Sequence, residues 1–226
     1  MIHLHDVSRT YASDEVETTA LGGIELHVEP GEFVAIMGPS GCGKSTLLNI
    51  LGTIDRPSGG RYLFEGKDIA RAPEAALARL RRDRLGFVFQ SFNLIDELTI
   101  AENVALGLAY RPMAASEKRN QIAAAMDRVG IAHRQRHFPH QLSGGQQQRA
   151  AIARAIVGEP RLILADEPTG NLDTANGAQV MEILQQLNAG GATIVMVTHS
   201  PTHADIARRT VHMLDGRILA SARLAA

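Results

Sequence analysis

The chain of 226 residues balances 23 lysines and arginines against 24 aspartates and glutamates, a formal net charge of −1. Its 45% hydrophobic and 21% charged residues suit one globular domain with a sizeable core, and the near-neutral charge speaks against electrostatic capture of nucleic acid or an acidic membrane surface. The single cysteine, Cys42, excludes an intrachain disulfide and fits a reducing compartment. The opening residues carry no secretion-signal pattern and no apolar run is long enough to span a bilayer, so work at a membrane requires another chain for the spanning part.

Ile2 to Val7 alternates and predicts a strand, and the polar stretch from Ser8 to Thr19 predicts a loop. Ile24 to Val28 predicts a second strand, and Pro30-Gly31 turns the chain into the apolar run Phe33-Val34-Ala35-Ile36-Met37. Next comes Gly38-Pro39-Ser40-Gly41-Cys42-Gly43-Lys44-Ser45-Thr46, which fits G-x-x-x-x-G-K-[ST], a phosphate-binding loop between strand and helix. Glycines let the backbone curl so that successive N–H groups face phosphate oxygens, and the following helix adds its own unpaired N–H groups and positive dipole end. In this pattern Lys44 reaches the β- and γ-phosphates and the Ser45 hydroxyl ligates Mg²⁺. Ser45 to Leu51 is the helix, which Gly52 closes.

Pro57-Ser58-Gly59-Gly60 predicts a turn, and short β pieces are expected at Arg61 to Phe64 and around Ile69, so the start of the chain reads as antiparallel. Residues 74–84 predict a helix whose arginines (Arg79, Arg81, Arg82, Arg84) form a solvated face, and Leu85 to Phe89 a buried strand ending at Gln90. The pattern then turns helical. Thr99 and Glu102 form a capping-box pattern, and Ile122, Met126 and Val129 recur at helical spacing over 116–129, ending at Gly130. Phe138-Pro139 breaks the chain. Leu142-Ser143-Gly144-Gly145-Gln146 then opens a helix to Val157, with Ser143 and Gln146 as a second capping box and two glycines that leave N–H groups open to an anion.

Leu162-Ile163-Leu164-Ala165 is too apolar for a half-exposed strand and belongs inside a parallel sheet. Asp166 and Glu167 follow at its carboxyl end, where ligand sites lie in such sheets. Asp166 can hold the Mg²⁺ shell, and Glu167 can orient or deprotonate an attacking water. A helix at 174–189, a strand at Thr193 to Val197, a short helix after Pro201 and a hairpin at Asp215-Gly216 complete the chain. The layout predicts an α/β core, residues 1–90 and 159–226, interrupted by a helical insertion over 91–158.

Gly38 to Thr46, Gln90, Leu142 to Gln146, Asp166-Glu167, Asp173 and His199 stand in the order typical of ATP-binding-cassette ATPases, and the resemblance covers nearly the whole chain. It implies a P-loop NTPase fold: a RecA-like α/β core, an N-terminal antiparallel β subdomain and a helical subdomain. By resemblance, Tyr11 stacks on adenine, Gln90 contacts Mg²⁺ and the attacking water, and His199 contacts the γ-phosphate. Asp173, in Gly170-Asn171-Leu172-Asp173, resembles the loop that crosses between subunits. The resemblance implies a head-to-tail homodimer with two ATP molecules sandwiched, residues 38–46 of one copy facing Ser143 and Gly145 of the other.

The runs Gly86 to Ile95, Leu98 to Val104 and Ala165 to Asp173 resemble the lipoprotein-release and macrolide-efflux group, which acts with a membrane permease. That implies a location on the cytoplasmic face of the membrane, with Phe92, Leu94 and Leu98 receiving a permease helix or packing into the core. A cassette that signals through a permease-like partner without transport would read the same. Ser200 stands where the family more often has an acidic residue, and Ala150 where a larger aliphatic is usual. Cys42 lies beside Lys44 and a helix start, the surroundings of a reactive thiol; alternatively it is a small side chain that fits.

Overall fold

The computed structural model describes residues 1–12 and 17–219. The site stands on a six-stranded sheet with strand order β10-β9-β3-β8-β7-β6. Its strands are β3 (Phe33–Met37), β6 (Leu85–Val88), β7 (Leu162–Asp166), β8 (Thr193–Val197), β9 (Arg209–Leu214) and β10 (Arg217–Ile218). All neighbours are parallel except β9 and β10. The apolar run at 162–165 is interior, paired on both sides, as its composition requires.

Alternation along these strands divides the core in two. Phe33, Ala35, Ile163, Ala165, Ile194 and Met196 face one cluster, which includes buried residues of the 100–157 helices and the 174–189 helix. Val34, Ile36, Leu162, Leu164, Val195 and Val197 face the other, with the helix after the phosphate loop and a second sheet. Both faces of β3, β6, β7 and β8 are covered, so nearly every residue in those four strands is buried.

The second sheet is antiparallel, order β2-β1-β4-β5, from β1 (Ile2–Ala12), β2 (Glu17–Val28), β4 (Gly59–Phe64) and β5 (Lys67–Asp68). Here the expected loop at 8–19 is corrected: Thr10 pairs with Thr19, Tyr11 with Thr18 and Ala12 with Glu17. The outer end of the ribbon, residues 8–12 and 17–20, runs beyond the core, so none of its residues is buried while the backbone ladder still forms. Residues 13–16 of that expected loop lie outside the described residues.

The helices are α1 (Lys44–Leu51), α2 (Glu74–Arg84), α3 (Ile100–Ala105), α4 (Ala115–Arg128), α5 (Gly144–Ile156), α6 (Thr174–Ala189) and α7 (Pro201–Ala204). Helices α3, α4 and α5 pack on one another and, through α5, on β6. Both expected capping boxes form: Thr99 with Glu102 on α3, and Ser143 with Gln146 on α5. The architecture is the expected α/β core with an antiparallel sheet and a helical group.

Candidate functional site

Strand β3 ends at Met37, and the loop that follows brings the chain to α1 in a conformation few side chains tolerate. Gly43, the residue before α1, has φ 97°, and a Cβ there would come within 2.6 Å of the Ala20 carbonyl oxygen. No side chain caps α1, whereas Ser143 caps α5 and Asp173 caps α6. The first-turn N–H groups of α1 are therefore open to an anion. Lys44 is 6% exposed, and its Nζ donates to the carbonyl oxygens of Gly38 and Pro39, each at 2.8 Å. Cys42 is buried with its Sγ close to Gly38, so the accessible reactive thiol is not what the loop builds; the small, fitting side chain is.

A cleft of about 750 Å³ opens above this loop. Ser40, Gly41, Lys44 and Ser45 line it from the loop, Gln90 from the end of β6, Asp166 and Glu167 from β7, and His199 from beyond β8. Four segments far apart in sequence thus meet at the carboxyl ends of neighbouring parallel strands. Tyr11, Asp173 and residues 142–146 do not line it.

The carboxylates differ. Burial pushes the Asp166 carboxyl above its ordinary range, while a hydrogen bond from Ser45 and the charges of Lys44 and His199 pull it back. Glu167 sits at φ 46°, the left-handed region, where a non-glycine residue costs about 1–3 kcal/mol. That turn carries its side chain into the cleft; Glu167 Oε1 lies 3.0 Å from His199 Nε2, unaligned for a hydrogen bond, and is a buried acceptor without a donor. Such an atom suits a water or hydroxyl to be oriented.

Gln90 Nε2 donates to Asn171 Oδ1 at 3.2 Å, and Asn171 Nδ2 donates back to the Gln90 carbonyl at 3.1 Å. Gln148, on α5 and fully buried, donates to the carbonyls of Pro168 at 2.7 Å and Phe89 at 3.3 Å. Gln148 did not stand out in the sequence, and Asn171 did so only as part of the loop leading to Asp173. Thr169 and His203 also line the cleft, and no spacing signal marked them.

Outside the cleft, Ser143 Oγ accepts from the Gln146 N–H and the Ser143 N–H donates to Gln146 Oε1. Gly145 lies against Asn176 of α6, where a Cβ would fall 2.1 Å from the amide oxygen. Asn176 in turn donates to both carboxylate oxygens of Asp173, at 2.8 and 2.7 Å, which hold that carboxyl below the ordinary range. Tyr11 is 42% exposed; its hydroxyl donates to Asp55 at 2.7 Å, and the Arg9 guanidinium lies 4.3 Å from the ring centre.

A second cleft of about 550 Å³ lies between α2, β6 and residues 106–111. Phe87 and Phe89, stacked at 5.8 Å, and Leu106 form apolar parts of its wall, and Tyr110, 85% exposed, stands at its side. Arg81 and Arg82 reach it from α2, paired with Glu74 and Asp83 rather than spread into solvent. Phe92, Leu94 and Leu98 are half-buried, and Leu94 packs against the core. None of the three lines this groove, which the segment reaches only through Asn93.

Residues 21–170 match the family model described as ABC transporter. The chain is 49% identical to the macrolide export ATP-binding/permease protein MacB of Sodalis glossinidius, over 99% of this chain and 34% of that one. It therefore spans about a third of the length of that relative. It is 45% identical to YvrO of Bacillus subtilis, an uncharacterized ABC transporter ATP-binding protein, over 99% of this chain and 97% of the relative. Among solved structures, a dimeric post-hydrolysis state of the ATP-binding cassette MJ0796 bound to ADP and Pi superposes with a TM-score of 0.91 at 42% identity, each chain fully covered.

Proposed function

The chain belongs to the ABC transporter family as an ATP-binding cassette, and from that premise we propose that it works as an ATP-dependent homodimer driving a membrane permease. The observation that carries this is the cleft's composition: one protomer supplies Lys44, Ser45, Gln90, Asp166, Glu167 and His199, while Ser143 to Gln146 lie elsewhere. A second copy can bring its α5 start to the open face, and two such contacts are reciprocal about a two-fold axis. The dimeric state of the MJ0796 cassette supports the same reading.

The oxygen donors fit Mg²⁺. No cluster of three His, Cys, Asp or Glu among the described residues could hold a metal, which suits an ion bound largely by substrate phosphates and water. Ser45, Asp166 and Gln90 would hold it, and it would supply charge neutralisation at the β- and γ-phosphates. Lys44 and the α1 N–H groups bind the phosphates. Glu167 holds the attacking water, with its unpaired Oε1 as acceptor, and takes the proton as the water attacks. His199 and Gln90 bracket the γ-phosphate side, and Tyr11 offers its ring to adenine. Hydrolysis removes the group bridging the two copies, so the dimer opens.

Among the described residues no helix is long and apolar enough to cross a membrane. We place the cassette at the cytoplasmic face, held there by its permease, with residues 91–158 as the helical subdomain. The Phe87, Phe89 and Leu106 groove receives the permease's cytoplasmic helix. Export, lipoprotein release or transmission of motion across the membrane is the output, the first suggested by the macrolide-export relatives.

Glu167→Gln should retain ATP and run as a dimer in size-exclusion chromatography with saturating Mg-ATP. A variant that binds ATP yet stays monomeric would overturn the dimer.

A further inference from the structure

The sheet joins the two catalytic segments only up to a point. Pairing of β7 with β8 ends at Asp166 and Val197, and the Glu167 N–H donates to the Val197 carbonyl at 3.0 Å just beyond. Past that point the chain diverges into residues 168–173, leading to Asp173, and residues 198–208, which begin with Thr198 and His199. Among the described residues one hydrogen bond joins these two stretches, between Thr169 Oγ1 and His203 Nδ1 at 2.9 Å.

We propose that His203 is a positioning residue for ATP hydrolysis, holding the loop between Glu167 and Asp173 in register with the segment that carries His199. The proposal rests on the ATPase reading of the cleft. Both ends of the contact are anchored. The His203 backbone N–H donates to Ser200 Oγ at 3.3 Å, and the Ser200 backbone N–H donates to Thr198 Oγ1 at 3.1 Å, so the backbone that carries the imidazole is held by residues on either side of His199. At the other end, the Gly170 N–H donates to the Glu167 carbonyl at 2.9 Å and the Leu172 N–H to the Thr169 carbonyl at 3.1 Å. Asn171 then continues the connection to Gln90. Contacts run from His199's neighbours through Thr169 to Gln90, crossing three strand ends.

His203 and Thr169 line the cleft together with Glu167 and His199. Lys44 is held by contacts of its own, to the carbonyls of Gly38 and Pro39. Breaking the bond therefore loosens the placement of Glu167 against the γ-phosphate and leaves nucleotide binding in place. Displacement of a catalytic group by a fraction of its reach is felt in the chemical step.

The test is steady-state ATPase kinetics with mant-ATP binding and melting curves on the full chain. His203→Ala should lower kcat about tenfold with KM for ATP unchanged. His203→Asn, whose amide can occupy the Nδ1 position, should restore most of the rate. Thr169→Val should match His203→Ala, and the double variant should be no worse than either single change, because both remove one bond. An unchanged kcat in His203→Ala, a purely KM effect, or additive losses in the double variant would overturn the proposal. If His203→Ala does not fold, the comparison of Thr169→Val with His203→Asn decides in the same way. A wild-type chain that binds mant-ATP but hydrolyses none would instead sink the ATPase reading.

Discussion

Asp166 ends a strand whose other residues are buried, and burial raises its carboxyl against the pull of Ser45, Lys44 and His199. The folded chain then holds that proton more readily than the unfolded chain. Stability falls as pH rises from the ordinary carboxylate value to the raised one, and the loss is present in full above it. Asp166→Asn should therefore melt higher than wild type at about pH 7, the difference closing as pH falls to about 4. It should lose Mg-dependent hydrolysis at the same time. Differential scanning across that range checks the sign; a gap that widens toward acid would contradict it. Asp166 and Glu167 were legible because an apolar run led into them. The left-handed backbone at Glu167 was not, since φ is set by the tertiary turn and not by residue type. His203 was equally hidden: a lone histidine in a polar stretch carries no spacing signal.

At the scale of elements, propensity and caps read well wherever an element is built from its own sequence. Helices α3 and α5 begin with the same S/T-x-x-E/Q device, and this allows a comparison. Thr99→Ala and Ser143→Ala should each cost about 1 kcal/mol of stability, a drop in Tm of about 2–4 °C for a chain of this size. Only Ser143→Ala should also depress ATPase activity, because only that cap is proposed to face nucleotide on the other copy. Equal activity losses would show the cap to be structural in both. Helix contacts across the chain read less well. Gly145 reads as an open anion site in sequence, but it is also where α5 meets Asn176 of α6. Gly145→Ala should lower Tm, and adding Asn176→Ala should recover part of it by removing the opposed amide, measurable in a melting series. The β1–β2 ribbon was missed for a related reason. Its outer half touches no core, so hydrophobic alternation, the primary local signal of a strand, is absent while the backbone pairing persists.

At the scale of the molecule, the cleft of the protomer is lined by the phosphate loop and strand ends and not by the start of α5, residues 142–146. If each site is built from the loop of one copy and Ser143 of the other, two defects can complement. Lys44→Ala disables both sites of its own homodimer, and so does Ser143→Arg. In a mixed dimer one site carries both defects, and the other combines an intact Lys44 from one copy with an intact Ser143 from its partner. Mixing the two inactive variants in equal amounts should therefore restore hydrolysis. The rate should approach about a quarter of wild type, since half the dimers are mixed and one of two sites in each is whole. Lower recovery, but still above either parent, means that closure draws on both sites together. A mixture as inactive as its components, in which crosslinking nevertheless detects mixed dimers, would place Ser143 outside the site and leave the cleft to be completed from within one chain.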